Sequence, residues 1–173
     1  MKHYLGIDPG KDGGIALIDS NGKVLLTEKI PLIAKKEVDI QQLCRFITNV
    51  VFNTENIFIC LENVHAVHGS AATASFEFGK ICGILEAIIY LCEKPFQKVN
   101  PKTWQKEAWI GITPIKLPSK EDKIKIDTKA TSLLAVKRLY PVADLHLSPR
   151  AGNPHDGIVD AILIAHYGKI SNL

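Results

Sequence analysis

Four carboxylates in this chain occupy positions where a charge is costly. Asp8 ends the apolar segment HYLGID directly before Pro9, and Glu62 follows the apolar segment IFICL. Asp156 and Asp160 are four residues apart in GNPHDGIVDAILIAHYG, a segment with a helical pattern. A buried carboxylate needs a partner or a cation, and like charges at positions i and i+4 of a helix repel each other. These four residues are therefore candidates for a metal site.

Each carboxylate also has an ordinary structural interpretation. Asp8 could form a turn, Glu62 could pair with a distant Lys or Arg, and Asp156 could cap a helix. Asp160 lies inside an apolar helix and has no such explanation. As a set, two carboxylates on strands and two on one helix face match the ligands of two Mg2+ ions. Two such ions about 4 Å apart can activate water and stabilise the leaving oxygen in phosphodiester hydrolysis, whereas all-oxygen ligation argues against zinc.

The segments around Asp8 and Glu62 predict an α/β fold. Residues 3–8, 14–18 and 23–30 are short apolar segments separated by glycines and a DSNG turn, which predicts an antiparallel three-stranded meander. A helical pattern begins at Asp39, and residues 56–64 form a continuous apolar run typical of an internal strand. A meander followed by a helix and a buried strand indicates a sheet with mixed strand directions.

The rest of the chain is mostly helical. Residues 70–93 predict a long helix that is apolar nearly all round in its second half, so it packs centrally on the sheet or is shared with a partner subunit. Further expected elements are a strand in PFQKV, a helix from Pro101, a Lys- and Pro-rich mobile loop over 113–128, a helix over 129–141, and a last helix with Asn153 as its cap and Pro154 in its first turn.

Length and composition predict a single domain over residues 1–173. With 46% hydrophobic residues the chain can bury a core without disulfides or structural metal. The start lacks the pattern of a secretory signal, and charged residues interrupt the 70–93 helix, so we expect a cytoplasmic protein with no membrane span. Four cysteines lie in apolar segments without zinc-site spacing and are expected to be reduced thiols of the core: Cys44, Cys60, Cys82 and Cys92.

The basic residues are concentrated in one part of the sequence. Residues 94–138 contain 11 Lys and Arg against 4 Asp and Glu, whereas the segments on both sides carry more acidic than basic residues. Such a segment is typical of a phosphate-binding surface. The alternative is a solvated, lysine-rich helical face without a partner.

Several motifs together resemble the RuvC-type Holliday-junction resolvases, especially their phage and bacterial relatives. These motifs are GIDPG followed by Gly13 and Gly14, the strand ending LENV, the helical GKICG, and HDGIVDA near the end of the chain. They occur in the family's order and span nearly the whole chain. The resemblance implies a ribonuclease H-like fold, in which a mixed five-stranded sheet is flanked by helices.

The resemblance also implies a function. The family forms homodimers that nick four-way DNA junctions symmetrically with Mg2+. Its four acidic residues correspond to Asp8, Glu62, Asp156 and Asp160, although many bacterial members space the last pair by three residues rather than four. We expect two Mg2+ ions in each active site, with Mn2+ able to substitute, and a dimer formed through the 70–93 helix.

The family places lysines near the cleaved phosphate, and the matching candidates are Lys129 in DTKAT and Lys102 in NPKTW. Relatives use an aromatic residue after the central Glu to open the crossover; here His65 is the candidate, with His68 nearby. His155 could be a secondary ligand, a proton carrier or a solvent-facing residue. Expected DNA contacts also include three of the four lysines of the 113–128 loop, namely Lys116, Lys120 and Lys123.

Three other functions remain open at this point. The first is a related nuclease that cuts RNA, flaps or other branched substrates with the same acids. The second is an actin-like or sugar-kinase-like ATPase, since GIDPGKDGG also resembles the first phosphate loop of that superfamily. Those proteins need two such domains to enclose a nucleotide. The third is a junction-binding protein without catalytic activity.

Overall fold

The computed structural model describes residues 1–34, 36–64, 71–118, 125–148 and 150–171. In chain order the strands are β1 (His3–Asp8), β2 (Gly14–Asp19), β3 (Val24–Lys29), β4 (Leu32–Ile33), β5 (Glu37–Val38), β6 (Ile57–Glu62), β7 (Phe96–Val99), β8 (Lys116–Leu117) and β9 (Lys125–Ile126). The helices are α1 (Ile40–Phe52), α2 (Ala72–Leu91), α3 (Pro101–Ala108), α4 (Thr128–Leu139) and α5 (Asp156–Ile170).

A mixed five-stranded sheet, in the order β3-β2-β1-β6-β7, forms the centre of the fold. Strands β1, β2 and β3 pair antiparallel, which confirms the predicted meander. Strand β6 pairs parallel with both β1 and β7, so the predicted buried strand is internal to the sheet. The carboxyl ends of β1, β6 and β7 therefore meet at one edge of the sheet.

Each face of the sheet is covered by helices. Leu5 and Ile7 of β1 point into a core shared with α1 and α2. Tyr4 of β1 and Cys60 of β6 point into the opposite core, which is shared with α3, α4 and α5. Because side chains alternate along a strand, Asp8 and Glu62 lie on the same face as Tyr4 and Cys60, beside α5.

Helix α5 contacts the sheet through main-chain atoms. A Cβ at Gly6 would overlap the backbone of Ala161 and Ala165, and a Cβ at Gly14 would overlap that of Gly157. Gly13 and Gly157 also form a parallel β-bridge. The absence of side chains at these glycines lets α5 lie directly on β1 and β2, which brings the first turns of α5 to the strand ends.

Helix α5 begins later than predicted. Its cap is His155, whose Nδ1 accepts a hydrogen bond from the backbone N–H of Ile158 at 3.3 Å. The prediction of Asn153 as the cap with Pro154 in the first turn was wrong. The backbone N–H of His155 donates to the carbonyl of Leu145 at 2.8 Å, and His155 itself has an extended conformation. This long-range bond keeps the chain out of the helix until Asp156.

Helix α2 covers one face of the sheet and leaves its other side open. Ile81, Leu85 and Ile89 are buried against the sheet, while Phe76 and Tyr90 are 71% and 64% exposed.

No helix in the described ranges is both long and apolar enough to span a bilayer. The described ends of the predicted 113–128 loop pair as β8 and β9. Cys60 and Cys92 are buried, and Cys44 and Cys82 are partly buried.

Candidate active site

Asp8 and Glu62 lie side by side at the carboxyl ends of two neighbouring strands. Strands β1 and β6 are parallel and in register through the pair Ile7 and Leu61. The next residue of each strand is the acidic one, and both acidic side chains lie on the face covered by α5. The register therefore brings together two carboxylates that are 54 positions apart in the sequence.

Asp160 completes a group of three carboxylates, which we call the acidic triad: Asp8, Glu62 and Asp160. Besides the effect of burial, the negative charge of Asp160 raises the pKa of Asp8, and the negative charge of Glu62 raises the pKa of Asp160. The three carboxylates therefore interact electrostatically. None of the three forms a salt bridge with a Lys or Arg within the described ranges. The triad is thus a concentration of negative charge from β1, β6 and α5.

Burial raises the pKa of each member of the triad. The pKa of Asp8 lies well above its usual value, first because of burial and then because of the neighbouring Glu62 and Asp160 carboxylates. Burial also raises the pKa of Glu62 and brings that of Asp160 to about 7. A carboxylate held in this way binds a proton more readily than a solvated one, and any metal ligation by it would compete with that proton.

Two buried neutral donors oppose this effect. The indole Nε1 of Trp104 donates a hydrogen bond to Glu62 Oε1 at 2.8 Å, and Trp104 is 0% exposed. The bond lowers the pKa of Glu62. Ser132, which is 1% exposed, hydrogen-bonds Asp160 and lowers its pKa. These donors stabilise the ionised carboxylates and fix their orientation without neutralising them.

Asp156 lies at the rim of the site rather than inside it. It starts α5, one helical turn before Asp160, and its Oδ2 forms a salt bridge of 2.6 Å with Lys129 Nζ of α4. The Lys129 and Asp156 side chains are 71% and 54% exposed. The pKa of Lys129 is raised, first by this hydrogen bond and then by the charge of Asp156. The charge of Lys129 also lowers the pKa of Asp8, against the larger opposite effect of burial, so the ammonium is near enough to act on the triad electrostatically.

An open cleft of about 610 Å³ connects these groups. The residues that line it are Asp8, Pro9, Gly10, Lys11, Asp12, Gly13, Lys129, Pro154, His155, Asp156, Gly157 and Asp160. The cleft has acidic residues at its centre, and the lysines Lys11 and Lys129 lie beside them. This arrangement of charges suits a phosphate ester, which the lysines can attract. The cleft therefore contains three of the four predicted acidic residues, and the fourth, Glu62, lies beside Asp8.

Other predicted residues lie away from the cleft or outside the described ranges. Lys102 and Lys116 are exposed on α3 and β8, and neither lines the cleft in the described part of the chain. His155 lines it, but its Nδ1 is used by the α5 cap and burial lowers its pKa. The predicted contacts His65, His68, Lys120 and Lys123 lie outside the described residues.

Four residues around the cleft were missed from the sequence. Lys11 and Asp12 line the cleft, Trp104 binds Glu62, and Ser132 binds Asp160. The first two could have been found, because they lie in the glycine-rich loop that follows Asp8. A buried Trp needs a partner for its N–H, but nothing in the sequence identifies Glu62 as that partner.

The chemistry of the triad fits a hard divalent cation. Its members offer carboxylate oxygens, which Mg2+ and Mn2+ prefer, and their repulsion would be relieved by such a cation. Within the described residues, however, no three Asp, Glu, His or Cys side chains are arranged as a finished metal site. The donor set therefore fits the metal, whereas the positions of the side chains leave the coordination geometry open.

Comparison with solved structures identifies the fold. The chain is similar to RuvC of Thermus thermophilus in complex with a Holliday junction substrate, with a TM-score of 0.65 and 15% identity over 99% of this chain and 95% of that one. It is also similar to another T. thermophilus RuvC structure, with a TM-score of 0.60 and 15% identity over 98% and 96% of the two chains. No family model and no curated protein sequence matches the chain. The likeness confirms the predicted ribonuclease H-like fold and the resemblance to RuvC in three dimensions.

Proposed function

We propose that this protein is a divalent-metal-dependent endonuclease that resolves four-way DNA junctions by paired, symmetric nicks. The observation that carries the proposal is the acidic triad, which collects three partly buried carboxylates beside Lys129 at the mouth of a cleft. The likeness to RuvC, one of whose structures holds a Holliday junction substrate, supports branched DNA as the substrate.

The proposed metal ligands are the triad and Asp156. Two bound Mg2+ ions would supply a polarised water and charge stabilisation for the leaving oxygen, and Mn2+ is expected to substitute. Trp104 and Ser132 hold Glu62 and Asp160 in their ionised orientations. Asp156 is bound to Lys129 at the rim and must turn inward to serve as a ligand.

Lys129 is the proposed phosphate-contacting cation. Its ammonium is largely exposed at the cleft and faces Asp8 and Asp160 electrostatically. A phosphate that enters the cleft meets this ammonium before it meets the triad, because Lys129 lies at the rim. The ammonium can then offset negative charge that develops on the phosphate during cleavage.

Lysines outside the cleft are proposed to hold the arms of the DNA. Lys102 and Lys116 belong to the basic segment 94–138 and are exposed. Their contacts with phosphates would make affinity fall steeply with salt. His65, Lys120 and Lys123 stay in the proposal as DNA contacts on the basis of the sequence resemblance.

The open side of α2 is the proposed dimer interface. Phe76, Gly79, Gly83, Ala87 and Tyr90 follow helical spacing and are all exposed. No described atom lies within 4 Å of a Cβ built at Gly79 or Gly83, so another backbone can approach there. A two-fold dimer would present two clefts for paired nicks. Gly83→Arg should give a monomeric mass at micromolar concentration and unpaired nicks, whereas Val142→Arg, at a 97% exposed position away from α2, should not.

A side-by-side cleavage assay tests the substrate. We expect Mg2+-dependent cleavage of a mobile four-way junction at least about tenfold faster than that of a flap, a linear duplex or an RNA–DNA hybrid, with symmetric product pairs. Faster cleavage of the flap or the hybrid would assign the protein to another class of nuclease with the same acids. Binding of the junction without cleavage in Mg2+ or Mn2+ would contradict the proposed enzyme.

A further inference from the structure

A second cavity adjoins the cleft. It has a volume of about 410 Å³ and is lined by Lys11, Thr73, Ala74, Glu77, Phe78 and Ile81; we call it the side pocket. Lys11 lines both the side pocket and the cleft. A ligand held at the triad can therefore extend past Lys11 into the side pocket. The volume is within the range of cavities that bind small ligands.

The side pocket has the groups needed to bind a nucleoside. Phe78 is partly buried, and its Cε2 lies 3.8 Å from the position of a Cβ built at Gly10, so its ring borders the loop that follows Asp8. An aromatic ring beside a phosphate site can stack on a base. The Lys11 ammonium is exposed at the boundary between the two cavities, where it can pair with a phosphate.

We infer that the side pocket binds the nucleoside next to the cleaved phosphate and prefers guanine. The inference rests on the proposed function, because it needs a DNA phosphate in the cleft. Lys11 contacts the phosphate that joins the two cavities, Phe78 stacks on the base, and Glu77 reads the edge of the base. Near a crossover a base unpairs at less cost than inside a duplex.

Glu77 provides the selectivity for guanine. A carboxylate only accepts hydrogen bonds. The Watson–Crick edge of guanine offers two adjacent donors, N1–H and the N2 amino group, and can bind both carboxylate oxygens. Cytosine and adenine present one amino group beside an acceptor nitrogen, and thymine presents one N–H between two carbonyl oxygens. A carboxylate in the side pocket therefore pairs twice with guanine and meets a repulsive acceptor on each other base.

A cleavage assay with four junctions that differ only at the base next to the cut tests the selectivity. We expect the guanine junction to be cut at least about tenfold faster than the thymine junction in single-turnover reactions, as a bidentate contact to a base predicts. Glu77→Gln should reduce this ratio to about twofold, because an amide pairs with every base. The control Glu55→Gln, at the opposite end of the sheet, should keep the ratio. Cleavage without base preference, or an unchanged ratio in Glu77→Gln, overturns the inference.

A binding assay separates this inference from the proposed function. A junction that carries 6-methylisoxanthopterin, a fluorescent guanine analogue with the same N1–H and amino donors, at this position is bound in EDTA, where no cleavage is needed, and its fluorescence reports stacking. We expect strong quenching by the native protein, little quenching by Phe78→Leu, and native quenching by the control Phe52→Leu. Equal quenching by the native protein and Phe78→Leu overturns the side pocket. If the native protein cuts no branched DNA but shows the Phe78-dependent quenching, the proposed function fails and the nucleoside site stands.

Discussion

The acidic triad and the Lys129–Asp156 pair are neighbours at the same cleft but differ in burial and in charge pairing. The triad is shielded from water, has no cationic partner within the described ranges, and has raised pKa values. The Lys129–Asp156 pair is already neutralised as a salt bridge and is more than half exposed. Exposed ion pairs contribute little to stability, whereas unpaired buried carboxylates reduce it. This difference is what the proposed metal site requires: a triad whose repulsion a cation would relieve, beside an ion pair that can rearrange at little cost.

Removing one member of the triad should have the largest effect. Asp8→Asn keeps the shape of the side chain but removes the charge of a proposed metal ligand, so we expect junction cleavage in Mg2+ to fall at least about a thousandfold while junction binding persists. The measurements are single-turnover cleavage and a mobility-shift titration. The control Asp144→Asn, at an exposed position outside the cleft, should cleave normally. Full activity of Asp8→Asn would remove Asp8 from the metal site.

The pH dependence of the free energy of unfolding should show how much the ionised triad destabilises the metal-free protein. The pKa of Asp160 is raised from 3.8 to about 7 in the folded protein. The unfolded chain releases this proton more easily than the folded protein does. Protonated Asp160 therefore stabilises the folded protein at low pH, and this contribution to the free energy of unfolding is lost as the pH rises from about 4 to 7. Without metal, Asp160→Asn should therefore gain about 2 to 3 kcal/mol of stability relative to the native protein between pH 5 and pH 8.

Thermal unfolding in EDTA at the two pH values measures this difference. Added Mg2+ should raise the Tm of the native protein at pH 8, because it binds the folded state, and should raise that of Asp160→Asn less. A stability difference between the two proteins that does not change with pH would show that Asp160 titrates normally and would weaken the contrast between the triad and the rim pair.

The buried donor to Glu62 should influence metal affinity. Trp104→Phe removes the Nε1–H that binds Glu62 Oε1, so the Mg2+ concentration for half-maximal cleavage should rise about 10- to 100-fold. Trp109→Phe is a matched control, since within the described residues the buried Nε1 of Trp109 has no hydrogen-bond partner. Equal Mg2+ requirements in both variants would show that Trp104 contributes only packing and that its hydrogen bond to Glu62 does not affect metal affinity.

The Lys129–Asp156 pair should show the smallest effect on stability. A double-mutant cycle of Lys129→Ala and Asp156→Ala, read from urea unfolding without metal, should give a coupling below about 1 kcal/mol that shrinks with added salt. Cleavage by Lys129→Ala should nevertheless fall, because the ammonium would no longer face the phosphate. A coupling of several kcal/mol would mean that the pair holds α4 against α5 and is not free to rearrange.

The sequence was most informative where local patterns determine structure. Alternating or continuous apolar runs predicted β1, β2, β3 and β6, and the positions of Asp8 and Glu62 at strand ends followed from them. The short pairs β4–β5 and β8–β9 have two residues per strand, too few for a periodic pattern. The start of α5 was misplaced because a backbone bond from His155 to distant Leu145 overrides the preference of Pro154 for a first turn.

The composition of the site was predicted better than its internal contacts. Residue types and spacing predicted Asp8, Glu62, Asp156 and Asp160, because a charge after an apolar run is conspicuous. The structure places three of them on the cleft and Glu62 beside Asp8, while their role as metal ligands stays a prediction. The bond from Trp104 to Glu62 joins residues 42 positions apart, and the rim position of Asp156 depends on a salt bridge to α4. Contacts of this kind arise from the packing of helices on the sheet, which no local pattern encodes.

The glycine contacts beneath α5 imply that substitutions at the glycines and substitutions in the hydrophobic cores have different effects on the site. At Gly6, Gly14 and Gly157 the strand and helix backbones lie directly against each other, so the spacing at these points is set by main-chain contact rather than by side chains. Exchanges of one hydrophobic residue for another elsewhere in the two cores should therefore disturb this contact less than a change at one of the glycines. An added methyl group at Gly6 would have to displace the helix. Three residues without side chains thus leave less room for substitution at this contact than the hydrophobic residues around it.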